Sequence, residues 1–548
     1  MQTVTLAHFE RAIDDIVSNG ENDTLPFDVD GRFLADNKDK LAALCYSLFE
    51  RLDKSGKKDA INIISQTIIF HERLLTPTGP SGFRISTKIH PFWNIYLNGL
   101  AVAIAEENEK NRHSNAHSYR FNQFGKDLFI KERSWRSYKD STLIDPSMID
   151  SAIVIQADIS SFYEHIYHHR VENCISDLFN AESTVASQID RVLNQLSSGR
   201  SFGLPVGGQC SRVLAELLMT HIDQLLTNAG VIWHRYVDDF TIIAKDQADA
   251  YRSISVLSNI LADYGLSLNK TKTILLSAPH YKNFITAQLF STEDNASKLK
   301  EIDLYFDPYS DNPQRDYEEL QETVEKLEIQ DLLNMELGKS QPDNFLVTQI
   351  SRTLKLHQPS VALQLCQTLL APNNLHSFRA SWATIIRGIN SIRVDNKFES
   401  VHDSMDIMID QVIKNASHLL LPETNLLHFL RLLKTKKNSI RAHFVYSQVF
   451  EKTNSETLKR ACIDCLRAWQ DRSAFIQMRN KWNSFHPEVQ RMFWLASFSF
   501  GEEGGHFRKQ VQKSLQHSWS LNIDVKEKPT FQSIYIKWTE NAIPKTSN

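Results

Sequence analysis

VIWHRYVDDFTIIAK, residues 231–245, sets two adjacent aspartates between two apolar runs of β-branched and aromatic residues. Such runs around a polar pair predict a β-hairpin with Asp238 and Asp239 at its turn. Paired carboxylates at a rigid tip repel each other and bury no apolar surface, so stability accounts for them poorly and divalent cations account for them well. A Tyr-x-Asp-Asp string alone also describes an exposed Asp-rich turn, and its meaning depends on the segments around it.

Upstream, AIVIQADISSFYEHIYHH (residues 152–169) reads as a β-branched strand ending at Asp158, followed by a helix-like stretch with Phe162 and Tyr163. An Asp at a strand end can meet a hairpin tip on the neighbouring strand, which places carboxylates from two elements around one pair of Mg²⁺ ions; alone it would be read as a helix cap. Two-metal phosphoryl transfer needs that geometry, one ion activating the attacking hydroxyl and the other stabilising the leaving pyrophosphate. Between the two blocks, SFGLPVGGQCSRVLAELLMTHID (residues 201–223) puts Gly203, Pro205, Gly207 and Gly208 in a tight loop that opens a long helix through Ser211. Glycines let backbone approach a ligand and a helix start offers free N–H groups, so the loop suits a nucleotide or template floor. It matches neither the P-loop nor the dinucleotide fingerprint.

These blocks in this order, followed by LADYGLSLNKTKT (residues 261–273), resemble the successive palm motifs of reverse transcriptases. The resemblance implies that Asp158, Asp238 and Asp239 are the catalytic metal carboxylates, with Ile159 beside them at the metal, and that Mg²⁺, or Mn²⁺ in its place, is the cofactor. Tyr163, next to Phe162, falls where the family places an aromatic gate against the ribose 2′-OH, implying deoxynucleotide substrates. Gly203, Pro205, Gly207 and Ser211 follow the Gly-x-Pro-x-Gly-x-x-x-Ser motif. They imply template and primer contacts at Gly203, Pro205, Ser211 and Tyr236, and nucleotide contact at Gly207. Lys272 matches the lysine of the fourth motif, a general acid or phosphate contact. One departure is Val206, where many relatives have Gln. The stretch NRHSNAHSYRFNQFGKDLFIKERSWRSYKD resembles the fingers, where Arg120 and Lys131 would meet the triphosphate and Arg133 the template. Residues 110–140 hold eight Lys and Arg against three acids, a local +5, interleaved with Tyr119, Phe121, Phe124, Trp135 and Tyr138. That mixture suits phosphate contact with base stacking, although a solvated basic face has the same composition.

The SYRF block, the LPVGGQCSRVLAE loop and a helical C-terminal half in place of a recognisable thumb most resemble bacterial abortive-infection, or antiphage defence, reverse transcriptases. Some members of that group extend DNA without a template from a tyrosine hydroxyl of the protein itself and assemble as oligomers. The resemblance therefore implies dNTPs as substrates, a DNA product that some members link to Tyr, an RNA template or non-coding RNA as partner, and a homo-oligomer. It covers about residues 84–275.

The expected fold class is α+β: a right-hand polymerase palm and fingers, built as an antiparallel sheet with helices, followed by an all-α C-terminal domain. Residues 1–83 read as an N-terminal helical region closed by the break TPTGPSG, and 84–275 as fingers and palm. Residues 276–343 read as an acidic connector or reduced thumb; from 301 to 343, thirteen acids face three bases, a net of −10. Residues 344–548 carry helical periodicity in pieces separated by short polar turns, a pattern that fits a HEAT-like α-solenoid and equally an irregular bundle.

Length and composition agree with an ordinary globular protein: 548 residues, 42% hydrophobic and 23% charged, with 18 Gly and 16 Pro, which excludes collagen-like and mainly disordered classes. The net charge of −4 does not advertise a polyanion ligand, but it averages the basic 110–140 segment with the acidic connector. No basic leader followed by an apolar core and no membrane-length apolar run is visible, so a cytoplasmic protein with no membrane partner is expected. Cys462 and Cys465 lie in an apolar helical pattern with no further ligands nearby and read as buried structural thiols. His165, His168 and His169 read as exposed or nucleic-acid-facing.

Overall fold

The computed structural model describes residues 4–542 except 80, 126, 180–182, 290–293, 303, 305–312, 513–514, 516–518 and 520–528. Six strands form among these residues: β1 (His71–Thr78), β2 (Gly82–Ile89), β3 (Ile153–Asp158), β4 (Ile232–Tyr236), β5 (Asp239–Ala244) and β6 (Ile274–Ser277). The last four make one antiparallel sheet in the order β4-β5-β3-β6, and β1 and β2 make a separate antiparallel hairpin. β3 therefore lies inside its sheet, which fits its near-continuous apolar run: Val154 and Ile155 are fully buried.

Helices Trp135–Leu143, Gln209–Asn228 and Gln247–Asp263 pack on this sheet. Behind them runs Pro91–Asn108, buried along most of its length. Apolar residues encircle it instead of forming one stripe, the pattern of a helix enclosed by others. Helix Leu6–Asn19 crosses it so closely that a Cβ on Gly99 would fall inside the Phe9 ring, which explains glycine in mid-helix.

The helical reading of residues 1–83 holds only as far as Ser65. Helices Leu6–Asn19, Val29–Asp36, Lys38–Ser55 and Lys57–Ser65 form, and then the chain turns to strand at His71. At the expected domain break TPTGPSG, Thr76, Pro77 and Thr78 instead end β1 and Gly82 opens β2 opposite Thr78, and the 83/84 boundary falls within β2. Leu74 and Thr76 are buried while Arg73, Leu75 and Pro77 are not, a period of two that the adjacent Leu74 and Leu75 disguise as helical spacing.

Helices Asn344–Thr353, Trp382–Arg393, Glu423–Leu433, Glu456–Ala468 and Pro487–Ser497 pack each against the next, and Pro359–Leu370 packs on His402–Asn415. Cys462 and Cys465 are buried free thiols here, with Cys465 Sγ donating to the Leu430 carbonyl at 3.1 Å. This half is joined to the rest by directed bonds. The Leu75 N–H of β1 donates to Glu423 at 2.8 Å, Thr424 Oγ1 donates to the Leu75 carbonyl at 3.2 Å, and Glu72 accepts from the Thr457 N–H at 2.9 Å. Deeper in the joint, Lys88 of β2 is ion-paired with Glu21, Asp28 and Asp30, while Arg460 donates to Asp30 at 2.7 Å and Glu488 at 3.0 Å. Helix Phe531–Ala542 returns to the start of the chain, closing Phe531, Tyr535 and Trp538 around Phe33. No helix among the described residues is long and apolar enough to cross a membrane.

Candidate active site

The β4–β5 connection is a two-residue turn, Val237 and Asp238, with Tyr236 opposite Asp239. Val237 has φ +57°, a region costly for a β-branched residue. Its surroundings hold it there: the Val237 N–H donates to Ser118 Oγ at 2.9 Å and its carbonyl accepts from Arg235 Nη1 at 2.8 Å. Such strain persists where neighbours over-determine it, and it clusters at functional sites.

Arg235 is the fixed point of this arrangement. Fully buried on β4, it donates to both Asp223 oxygens at 2.9 and 2.7 Å and to both Glu216 oxygens at 3.0 Å. Glu216 also accepts from Arg112 Nη2 and Ser118 Oγ, each at 2.6 Å. Both acids stand on helix Gln209–Asn228, seven residues and so two turns apart on one face. Burial would raise the Glu216 carboxyl, but the charges of Arg235 and Arg112, with hydrogen bonds from Arg235 and Ser118, hold it below the ordinary range. This clamp escaped the sequence reading. The available signal was the pair of acids at helical spacing inside an apolar run, because buried charges require partners.

In the β3–β5 register, Asp158 lies directly opposite Asp239, and the Ile159 N–H donates to the Asp238 carbonyl at 3.3 Å. The fold therefore sets Asp158 and Asp239 across from each other at two strand ends, with Asp238 at the adjoining turn. Asp158 is bonded to Lys272 Nζ at 3.3 Å and to Asn269 Nδ2 at 3.1 Å, and its carbonyl accepts the Asn269 N–H at 2.7 Å. Burial first, then the charges of Asp239 and Asp158, push the Asp238 carboxyl up to about 6; burial and Asp158 also raise Asp239. Hard carboxylate oxygens suit Mg²⁺ or Mn²⁺. Among the described residues, however, no three His, Cys, Asp or Glu side chains converge as a metal-holding group, and a lysine neutralises Asp158.

A metal-free pH measurement follows. Between about 4 and about 6 the folded chain binds more protons at Asp238 than the unfolded chain does, so stability is lost as pH rises through that window. Asp238→Asn is expected to raise the thermal midpoint above the parent's at pH 8 in chelator, with the difference closing toward pH 4. An equal difference at both pH values would contradict the assigned repulsion.

Lys139, on helix Trp135–Leu143, was counted among the fingers bases but lies beneath this site. It is buried with Nζ 4.5 Å from the centre of the Tyr138 ring, and burial lowers it to about 8 against the opposing attraction of Asp239. Tyr138 in turn stacks on Tyr236 with ring centres 6.0 Å apart.

Tyr163 packs beside Phe162 at 5.2 Å, and burial raises its phenol well above the ordinary value. Its carbonyl accepts the Leu204 N–H at 2.9 Å, which ties the segment after β3 to the glycine loop. In that loop Gly203 (φ +90°) and Gly207 (φ +103°) take left-handed conformations. The close approach at Gly207 is to the protein itself: a Cβ there would collide with Asn22, whose Nδ2 donates to the Val206 carbonyl at 2.8 Å. Ser211 Oγ donates to the Pro205 carbonyl at 2.5 Å, so Ser211 holds the loop onto its helix. His168, expected to be exposed, is buried and bonded to the Gly203 carbonyl at 2.8 Å.

The fingers bases are less free than their count. Arg120 is ion-paired to Glu109 at 2.6 Å and donates to the His113 carbonyl at 2.8 Å, and Lys131 pairs with Asp127 at 2.9 Å. Arg133 lies after a turn closed by its N–H on the Ile130 carbonyl at 3.3 Å. Lys126 falls outside the described residues.

Residues 115–303 match the family described as Reverse transcriptase (RNA-dependent DNA polymerase), a span that contains β3 to β6 and all three aspartates. The centre of the chain is similar to reverse transcriptase domains. Over 162 residues the chain is 25% identical to the retron Ec86 reverse transcriptase of Escherichia coli, covering 28% of this chain and 48% of that protein. The chain thus spans about half the length of that curated relative. Among solved structures, telomerase from Candida albicans with a fragment of telomeric RNA aligns at 11% identity and TM-score 0.32, covering 63% of this chain and 65% of that one. A truncated apo telomerase from Candida tropicalis aligns at 14% identity and TM-score 0.29, covering 37% and 49%.

Proposed function

We propose that this protein is an RNA-directed DNA polymerase, making DNA from deoxynucleoside triphosphates at Asp158, Asp238 and Asp239. The observation that carries this reading is the cross-strand opposition of Asp158 and Asp239, with Asp238 at the adjoining turn, inside the span that matches reverse transcriptases. The three carboxylates are the residues that would hold two Mg²⁺ ions, which when bound activate a primer hydroxyl and stabilise the pyrophosphate. The chain's own part is positioning and charge. Arg235 and Ser118 fix the turn that carries Asp238, and Lys272 balances Asp158 and is exposed enough to shift to a triphosphate. Glycine-loop contacts keep Tyr163 at the site's wall, where its neutral ring excludes a ribose 2′-OH.

Tyr163→Ala is accordingly expected to raise ribonucleotide incorporation relative to deoxynucleotide incorporation about tenfold or more, since removing a steric wall relaxes discrimination by ~1–3 kcal/mol. Single-nucleotide extension with matched dNTP and rNTP measures it; an unchanged ratio removes the gate from Tyr163.

The retron relative supports copying of a bound RNA. The motif resemblance to abortive-infection enzymes supports untemplated extension from a tyrosine, oligomeric assembly and a cytoplasmic role in antiphage defence, with the stacked C-terminal helices as a HEAT-like partner surface. Sequencing DNA made by purified protein with dNTPs, Mg²⁺ and its co-purifying RNA separates these: complementary product marks copying, and unrelated sequence attached to a tyrosine peptide marks untemplated synthesis. No DNA product with any primer, RNA or protein-linked assay overturns the polymerase reading. Undiminished protection by Asp238→Asn in an infection assay would instead favour a non-catalytic RNA-binding scaffold.

A further inference from the structure

A cleft of about 350 Å³ lies where the loop before helix Val29–Asp36 faces helices Glu423–Leu433 and Glu456–Ala468. None of the residues placed in the polymerase site lines it. Its volume falls within the ~300–1,000 Å³ of small-ligand sites, and its lining mixes apolar with cationic residues. Leu25, Leu427 and Met492 are buried along it and Phe27 is left 48% exposed.

Six Lys and Arg line the cleft against three carboxylates, and the carboxylates are already engaged. Glu21 and Asp28 pair with Lys88, and Asp464 is shared by Lys434 at 2.5 Å and Arg467 at 2.6 Å. Arg32 reaches only its own helix, at 3.6 Å from Asp36. Arg431 makes no hydrogen bond or ion pair with any described residue; burial disfavours its charge, and the charges of Asp464 and Asp28, both carboxylates already paired elsewhere, offset that only in part. A guanidinium without a directly bonded carboxylate in a concave, partly desolvated site gains from an anion that meets it. The exposed Phe27 ring suits a flat heterocycle.

We propose that this cleft binds a nucleotide unit, with the phosphate on Arg431 and Lys434 and the base against Phe27. The unit is either a free nucleotide or the end of a nucleic acid chain, which share this chemistry. The inference is independent of the polymerase reading, because it uses other residues and requires no catalysis.

The test is photolabelling of the full chain with azido-adenosine triphosphate in chelator, with the labelled peptides located by mass spectrometry. Label is expected on peptides carrying Phe27 or residues 427–467, equally in the parent and in Asp238→Asn, and reduced about tenfold or more in Arg431→Glu. Arg431→Gln, which removes the charge without reversing it and keeps a polar end, is the second variant should Arg431→Glu fail to fold. Displacement by unlabelled ATP identifies a free nucleotide, and displacement only by a short oligonucleotide identifies a chain end. Label confined to palm peptides, or cleft label undiminished in the folded Arg431 variant, overturns the site.

Discussion

Asp239→Asn is expected to abolish DNA synthesis while leaving the fold intact. The substitution keeps the shape of the side chain and removes one charge from a group in which Asp158 faces Asp239 across two strands. Loss of a metal carboxylate at a nucleotidyl-transfer site should cost about three decades in rate, near 4 kcal/mol at ~1.36 kcal/mol per decade. Stability should move the other way, because burial and the neighbouring Asp158 already disfavour ionised Asp239. Paired measurements of dNTP incorporation and of thermal unfolding in chelator distinguish a catalytic defect from a folding one. Incorporation within tenfold of the parent would remove Asp239 from the chemistry.

Arg235→Met should do the reverse, damaging the fold first and activity as a consequence. It strips the shared partner from Asp223 and Glu216, each buried, and truncating one member of a buried ionic cluster typically costs ~3–5 kcal/mol. Glu216 keeps Arg112, but among the described residues Asp223 has no second cation within bonding distance. Burial already raises the Asp223 carboxyl with Arg235 present, and without it the group rises further. A raised folded value means stability falls as pH increases, so the deficit should be larger at pH 8 than at pH 5. Urea unfolding at both pH values measures this, and Arg235→Met/Asp223→Asn should recover part of the loss. A deficit below about 1 kcal/mol would show that the clamp is dispensable.

The four-stranded sheet and the meeting of Asp158 with the hairpin of Asp238 and Asp239 were legible in sequence because their determinants are local. The runs beside Asp238 and Asp239 alternate toward a hairpin, and the apolar run before Asp158 ends where β3 ends. What the sequence concealed depends on distant partners. The basic 110–140 segment counts as +5, yet Arg120 is taken by Glu109, one residue outside that window, and Arg112 by Glu216, about a hundred residues away. Gly207 reads as a ligand glycine until Asn22 is found in the space a side chain would fill. The β1–β2 hairpin was missed for a local reason, since two adjacent leucines satisfy helical and strand spacing alike.

The bonds from β1 to the C-terminal helices bear on how this protein can be divided. Glu423 and Thr424 occupy the Leu75 amide and carbonyl, and Arg460 neutralises Asp30. A chain ended near residue 343 would bare that strand edge and leave Asp30 with Lys88 as its one cation among the described residues. Open edges recruit other edges, and such a fragment should self-associate instead of behaving as a minimal polymerase. The helical half is then a cover over the β1–β2 hairpin and the N-terminal helices, and the smallest workable unit of this protein extends well past residue 343.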